Sequence, residues 1–310
     1  MGIFANPLTD LLEYEDFSRD FLKGTDPVGM TGCIDSEKVH FMSTFLGEKK
    51  VQLVVTYSEQ RAREIEEDYK LFCSQVYVIP PRDLIFFSAD LQGNAIIAER
   101  MKAFAALYQN EAKVIITTMD ALMSAAVPFE QLMSHVIKLK EGDELDLEKL
   151  KHDLTVMGYE RVGRVEEPGQ FTVHGGIADV YPLTMEVPVR IELWGDEIDT
   201  IRCFEPQSQR SMDQIECVSV FPAAEVIADD TARRRAAGMI QNELESQLAV
   251  FKKAKEPDKA KRLREETNRI LEALGEDVVL EAPDSYISYF YPRTVQLSEY
   301  FDEKNTLVFL

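Results

Sequence analysis

Gly29-Met30-Thr31-Gly32-Cys33-Ile34-Asp35-Ser36 has the cadence of a phosphate-binding loop entering a helix. In the pattern G-x-x-x-x-G-K-[ST], backbone N–H groups cradle phosphates and a Lys reaches the β and γ oxygens. This chain keeps the first Gly and the hydroxyl of Ser36, but Ile34 stands in place of the second Gly and Asp35 in place of the Lys. A carboxylate about 4 Å from a phosphate charge costs on the order of 4 kcal/mol at a surface-like dielectric, before the lost attraction is counted. Ile34 also puts a β-branched side chain where the backbone must approach phosphate closely. These residues therefore describe a phosphate loop that has lost its ligand. A simple turn followed by a helix cap at Asp35 or Ser36, ahead of SEKVHFMSTFL, accounts for what remains.

Other groupings of reactive side chains are weaker. Asp196 and Glu197 follow Gly195 and read as a polar hairpin turn rather than a carboxylate pair for acid/base work. His40, His135 and His152 have no ligand partners at metal spacing, and Cys33, Cys73, Cys203 and Cys217 form no C-x-x-C motif. No catalytic or metal site is expected, and the thiols suit a reducing compartment. The stretch from Phe251 to Ile270 holds eight Lys or Arg against four Asp or Glu. A solvated helix face explains it, and weak DNA contact is the sharper alternative.

The elements that must carry these residues are set by length and periodicity. The 310 residues, 45% of them hydrophobic, suffice for two or three domains with cores of their own. A formal charge of −21 has the wrong sign for broad attraction to nucleic acid or anionic membrane. The start lacks a basic region followed by an apolar core, and no run of 18 apolar residues appears, so a soluble cytoplasmic protein is expected.

Through residue 131, apolar runs VQLVVT (51–56), QVYVIP (75–80) and KVIITT (113–118) alternate with amphipathic helices, one opening from Ser58 and one from Asn94. That alternation predicts a parallel sheet covered by helices. Residues 132–222 change texture: the helix LDLEKLKHDLTVMGY is followed by closely spaced β runs GQFTVHGG, IADVYP, VPVRIELWGDEIDTIRCF and QIECVSVFP. Residues 223–310 return to helix and finish on TLVFL, which reads as a core strand cut off at its end. The chain is thus expected to be a fragment of a longer protein.

Within VPVRIELW, strand alternation puts Val189, Ile191 and Leu193 on one face and Arg190, Glu192 and Trp194 on the other. The first set is core. The second places the chain's only Trp beside an Arg and a Glu, and Trp and Arg are residue types enriched where partners dock. The competing reading packs Trp194 beneath a neighbouring loop.

The runs EPGQFTVHGGIADVYP (167–182) and PVRIELWGDEIDTIRCFEPQSQRS (188–211) resemble the second domain shared by the repair protein UvrB and the transcription-repair coupling factors. The flanks are similar too, including the broken loop Gly29, Gly32, Ile34, Asp35, Ser36 and the helix AERMKAFAAL. UvrB resembles a helicase with an intact phosphate loop and a long Tyr-rich hairpin. Here the loop is broken, and PRDLIFFSAD (81–90) leaves no room for that hairpin before the next helix. The amino-terminal region of a coupling factor is therefore the closer resemblance.

The resemblance implies a degenerate RecA/helicase-like parallel-sheet domain built from two flanking segments, 1–131 and 223–310. An α+β domain rich in antiparallel strands, 132–222, is inserted between them and binds UvrA. It implies no activity and no cofactor in this fragment, with ATP and Mg confined to the motor domains of an ATP-dependent DNA translocase. It implies RNA polymerase and double-stranded DNA as partners of other domains, and masking of the UvrA surface by the parent's carboxy-terminal region. The matching positions are Arg190, Trp194 and His174, with Glu192 beside them. His174 stands where the family usually has Arg, so a permanent bidentate cation is exchanged for a ring that is mostly neutral at neutral pH. The other readings are a nucleotide-dependent helicase relative and a direct binder of damaged DNA.

Overall fold

Largely apolar runs become the buried strands of a parallel sheet in the computed structural model, which describes residues 8, 10, 14–24, 27–82, 91–227, 229–275 and 286–310. In chain order the first elements are helices α1 (Tyr14–Lys23) and α2 (Asp35–Ser43), strand β1 (Val51–Thr56), helix α3 (Glu59–Tyr69) and strand β2 (Val76–Ile79). Helix α4 (Leu91–Tyr108), strand β3 (Val114–Thr118) and helix α5 (Met119–Leu122) follow. Then come β4 (Ala125–Ala126), α6 (Phe129–Met133), β5 (Ile137–Lys140), α7 (Leu147–Val156) and β6 (Glu160–Arg161). Strands β7 (Gln170–His174), β8 (Ile177–Val180), β9 (Val189–Trp194), β10 (Glu197–Phe204), β11 (Ser211–Gln214) and β12 (Cys217–Val220) are closely spaced. Helices α8 (Asp230–Ala254), α9 (Pro257–Gly275) and α10 (Ile287–Phe290) and strands β13 (Val295–Gln296) and β14 (Thr306–Phe309) complete the order.

The chain forms two compact units. The first is drawn from Met1–Arg82, Lys102–Ser124 and Leu297–Leu310, the second from Asp83–Met101 and Ala125–Gln296. The first holds a four-stranded parallel sheet ordered β14-β1-β3-β2. Strand β3 is buried along its whole length and β1 along all but its last residue, as strands covered on both faces must be. On one side Val39, Ile65, Tyr69 and Val78 pack with Val54 and Ile116. Another cluster is aromatic, with Phe41 and Phe45 meeting Phe17 and Phe21 of α1. Phe17 meets the ring of Phe41 edge to face at 5.0 Å. The buried Tyr69 hydroxyl donates to Gln52 Oε1 at 2.8 Å, and Gln52 Nε2 donates to the Met42 carbonyl at 3.1 Å. This chain of bonds fastens α3, β1 and α2 together.

Several expectations shift by a few residues. Ser58 caps α3 as the sequence indicates, accepting from Arg61 N at 3.2 Å. Helix α2, by contrast, is capped neither by Asp35 nor by Ser36. Its N-cap is Ile34, whose N–H donates to Glu37 Oε2 at 3.1 Å, so the first turn is closed from within by the carboxylate three residues on. Helix α4 begins at Leu91, ahead of Asn94. The run TLVFL forms β14, which pairs with β1 among the described residues; Thr306 and Leu307 are buried and Val308 is 48% exposed. The hairpin comparison drawn on residues 81–90 falls on 83–90, outside the described residues. No described helix is long and apolar enough to cross a membrane.

The second unit holds a six-stranded sheet ordered β11-β10-β9-β8-β7-β6, antiparallel except for β6 with β7. Its core joins Phe171, Val180, Val189, Ile191 and Ile201 to Leu150 and Leu154 of α7. Asp146 caps α7, accepting from the N–H groups of Glu148 and Lys149. Arg100 of α4 and Glu225 form a buried two-bond ion pair, with Nη2 3.0 Å from Oε2. Helices α8 and α9 form a hairpin that turns at Lys255, which adopts a left-handed conformation (φ +57°).

Candidate functional site

Strand β9 supplies both a core and a face. Val189 and Ile191 are fully buried, Leu193 is partly buried against the same core, and the residues between them point the other way. Trp194, the last residue of β9, is 84% exposed. Gly195, at φ +68°, opens the two-residue turn into β10, a conformation that a side chain would strain. Trp194 therefore stands at the rim of the sheet rather than beneath a loop.

The register shows which expected residues are neighbours. His174 pairs with Ile177, Ile177 with Glu192, and Glu192 with Thr200, so these four form one row across the outward face. Trp194 lies two positions beyond Glu192 on the same face, opposite Glu197. His174 is exposed, with Nε2 2.8 Å from Thr172 Oγ1, and Glu192 Oε2 accepts from Thr200 Oγ1 at 3.2 Å. Ile177 is 40% exposed. Sequence reasoning passed over Ile177 because strand pairing alone brings it beside Glu192.

Arg190 is placed differently. Its side chain is only 21% exposed, and its Nε and Nη2 each donate at 2.7 Å to the two carboxylate oxygens of buried Asp179. The guanidinium carbon lies 4.8 Å from the centre of the Phe204 ring, itself buried with Val165 and Tyr181. The hydrogen bonds to Asp179, with burial opposing them, raise the Arg190 pKa above its ordinary value. Arg190 is thus tied into the sheet while Trp194 is free of it. Asp179 and Phe204 are neighbours of Arg190 that the sequence reading missed. The only signal was an acidic residue set inside the apolar run IADVYP.

In the other unit, the residues of the broken loop lie together ahead of α2. Residues 27–34 have no regular structure, and Gly32 sits at φ +89°. A working phosphate loop joins a strand to a helix. Here the described element before the loop is helix α1, ending at Lys23. Asp35 projects into solvent and is held by Arg61 Nη2 at 3.3 Å and Lys38 Nζ at 3.5 Å. Arg61 in turn is engaged by Glu64 at 2.8 Å. Ile34 and Ser36 are exposed, as is Gly29. Arg61, one of the two cations that contact Asp35, is thus shared between two carboxylates.

Comparison with known proteins assigns the sheet to a class. Residues 137–225, from the start of β5 to Glu225, match the family described as the UvrB interaction domain, so the outward face just described belongs to a domain of that kind. Along most of its length the chain is also similar to transcription-repair-coupling factors. It is 29% identical to that of Bacillus subtilis over 98% of the chain, and 32% identical to that of Staphylococcus haemolyticus over 82%. The factor of Staphylococcus epidermidis is 29% identical over 99%. The chain belongs to the transcription-repair-coupling factor family, and its matches span 26%, 21% and 26% of these three relatives.

Proposed function

We propose that the chain is the non-catalytic amino-terminal module of a transcription-repair coupling factor, and that its six-stranded sheet recruits UvrA to RNA polymerase stalled at DNA damage. The observation that carries this reading is Trp194, an exposed indole at the rim of the UvrB interaction domain. An exposed Trp on the same face as Ile177 and Glu192, opposite Glu197, has the make-up of an interface anchor with a polar surround. His174 and Glu192 flank the contact, and Arg190 holds the strand pair that presents it.

The flanking parallel sheet is read as a vestige of a RecA-like helicase domain. The loop from Gly29 to Ser36 is entered from a helix, lacks its Lys and carries its own carboxylate, so it holds neither ATP nor Mg. ATP-driven translocation, the double-stranded DNA track that the motor moves along and the contact with RNA polymerase belong to other parts of the parent, whose carboxy-terminal region masks the Trp194 face until it is needed.

Calorimetric titration with UvrA tests the reading. Trp194→Ala weakens binding by about 2 kcal/mol or more, and its melting temperature is unchanged because the indole packs against no core. Absence of UvrA binding by the native chain overturns the function. Full binding by the Trp194 variant moves the contact elsewhere.

A further inference from the structure

The hairpin of α8 and α9 extends past its packed portion. The buried residues of α8 end at Leu244 and those of α9 begin at Thr267, so the stretch between them contains no buried side chain. That unburied tip is where the basic residues gather. Lys252, Lys253, Lys255, Lys259, Lys261, Arg262 and Arg264 are all exposed, in a chain whose formal charge is −21. Lys259 is engaged by Glu256 at 2.9 Å and Lys261 by Glu265 at 3.8 Å. Among the described residues, Lys252, Lys253, Lys255, Arg262 and Arg264 have no acidic partner within ion-pair distance.

A solvated helix is usually laced with pairs three or four residues apart, and the rest of this hairpin is, through Arg234 with Asp230 and Arg269 with Glu266. Five uncompensated cations at one tip depart from that pattern. We propose that the tip of the α8–α9 hairpin docks on the phosphate backbone of duplex DNA, a contact separate from the Trp194 face.

Three features choose this occupant. The free cations come from both helices and from the turn, a spread that suits a repeating anion better than a single compact one. The cleft between the helices, about 610 Å³, itself carries Glu256 and Glu265, which disfavour a small anion inside it. Phe251 is the only aromatic residue between Val250 and Arg269, so the stacking platform that single strands need is missing. Protein interfaces exclude charge from their centres, whereas DNA interfaces are rich in cations. The acidic remainder repels DNA, and because charges are screened over about 8 Å at physiological salt, the tip acts only at close range.

Fluorescence anisotropy of a labelled duplex of about 20 base pairs, titrated with the full chain from about 50 to about 200 mM salt, provides the test. Binding weakens with salt at a slope of about −3 to −4.5, as contacts from most of the five cations require. The charge reversal Lys252→Glu, Lys255→Glu, Arg262→Glu and Arg264→Glu lowers affinity by about tenfold or more and flattens that slope. Exchanging each of those Lys and Arg residues for the other preserves binding. Circular dichroism and thermal melts of both variants match the native chain, since every altered residue is exposed. Equal affinity of the native and reversed chains overturns the proposal, as does tighter binding of a single strand of the same length. Displacement by polyglutamate as effective as by unlabelled duplex overturns it too.

Discussion

Arg190 and Asp179 face each other across β8 and β9 and share two parallel hydrogen bonds of 2.7 Å each. Asp179 is buried, and that guanidinium takes up both of its carboxylate oxygens. Arg190→Ala is therefore expected to cost about 3 kcal/mol of stability, chiefly through the carboxylate left unpaired. Pairing the change with Asp179→Leu recovers most of the loss. Urea unfolding of the two single variants and the double variant checks this, and independent, additive losses refute the coupling. A binding defect in the Arg190 variant alone thus reports on the scaffold before it reports on the partner.

His174 lies in the row with Ile177 and Glu192 on the same outward face as Trp194. His174→Arg is expected to strengthen the complex with UvrA several-fold at about pH 8, because a guanidinium keeps its charge and donates in a fixed fork. Surface plasmon resonance of both forms at that pH measures the effect. Identical affinities place His174 outside the contact.

Asp35 opposes a phosphate, and Arg61 is already shared between Asp35 and Glu64. Millimolar Mg-ATP is expected to leave the melting temperature unchanged, because a ligand that does not bind the folded state cannot stabilise it. Asp35→Lys alone does not create binding, since the chain still enters the loop from a helix. A dose-dependent rise in melting temperature in the native chain refutes the vestigial reading.

Burial holds the half-buried His135 imidazole below its ordinary value, against the opposing pull of the Asp229 and Asp153 carboxylates. As pH falls, the unfolded chain takes up that proton first, near about 6.5. Stability is thus retained above that pH and lost as pH drops through it toward the lower folded value. His135→Gln removes this component. Urea midpoints measured between about pH 7.5 and about pH 5 should fall more for the native chain than for the variant. Parallel profiles refute the assignment.

Burial patterns within one strand were readable from the sequence, and pairings between strands were not. VQLVVT and KVIITT announce buried parallel strands because every position except Gln52 and the leading Lys113 is apolar or β-branched. VPVRIELW announces its two faces because Val189 and Ile191 alternate with polar neighbours. Arg190 looked free for the same reason that Trp194 did, since alternation assigns a side and nothing more. Its capture by Asp179 depends on the register of β8 with β9, which the irregular residues between those strands conceal. The cap of α2 was misplaced for a related reason. Asp35 and Ser36 have the right side chains, but Glu37 closes the turn from inside and leaves Ile34 as the boundary.

The two sheets are also closed by different lengths of chain, which sets an order in time. Strands β7 to β11 pair each with its successor, so that sheet can zip from local hairpins as soon as the segment leaves the ribosome. The parallel sheet waits for the opposite extreme: Val51 of β1 finds Thr306 of β14 only after everything between them has been synthesised. During that interval one side of β1 offers unpaired backbone groups to any strand that passes. The early-forming sheet bears the proposed partner surface, and the late-closing one bears the greater risk of misassembly during synthesis.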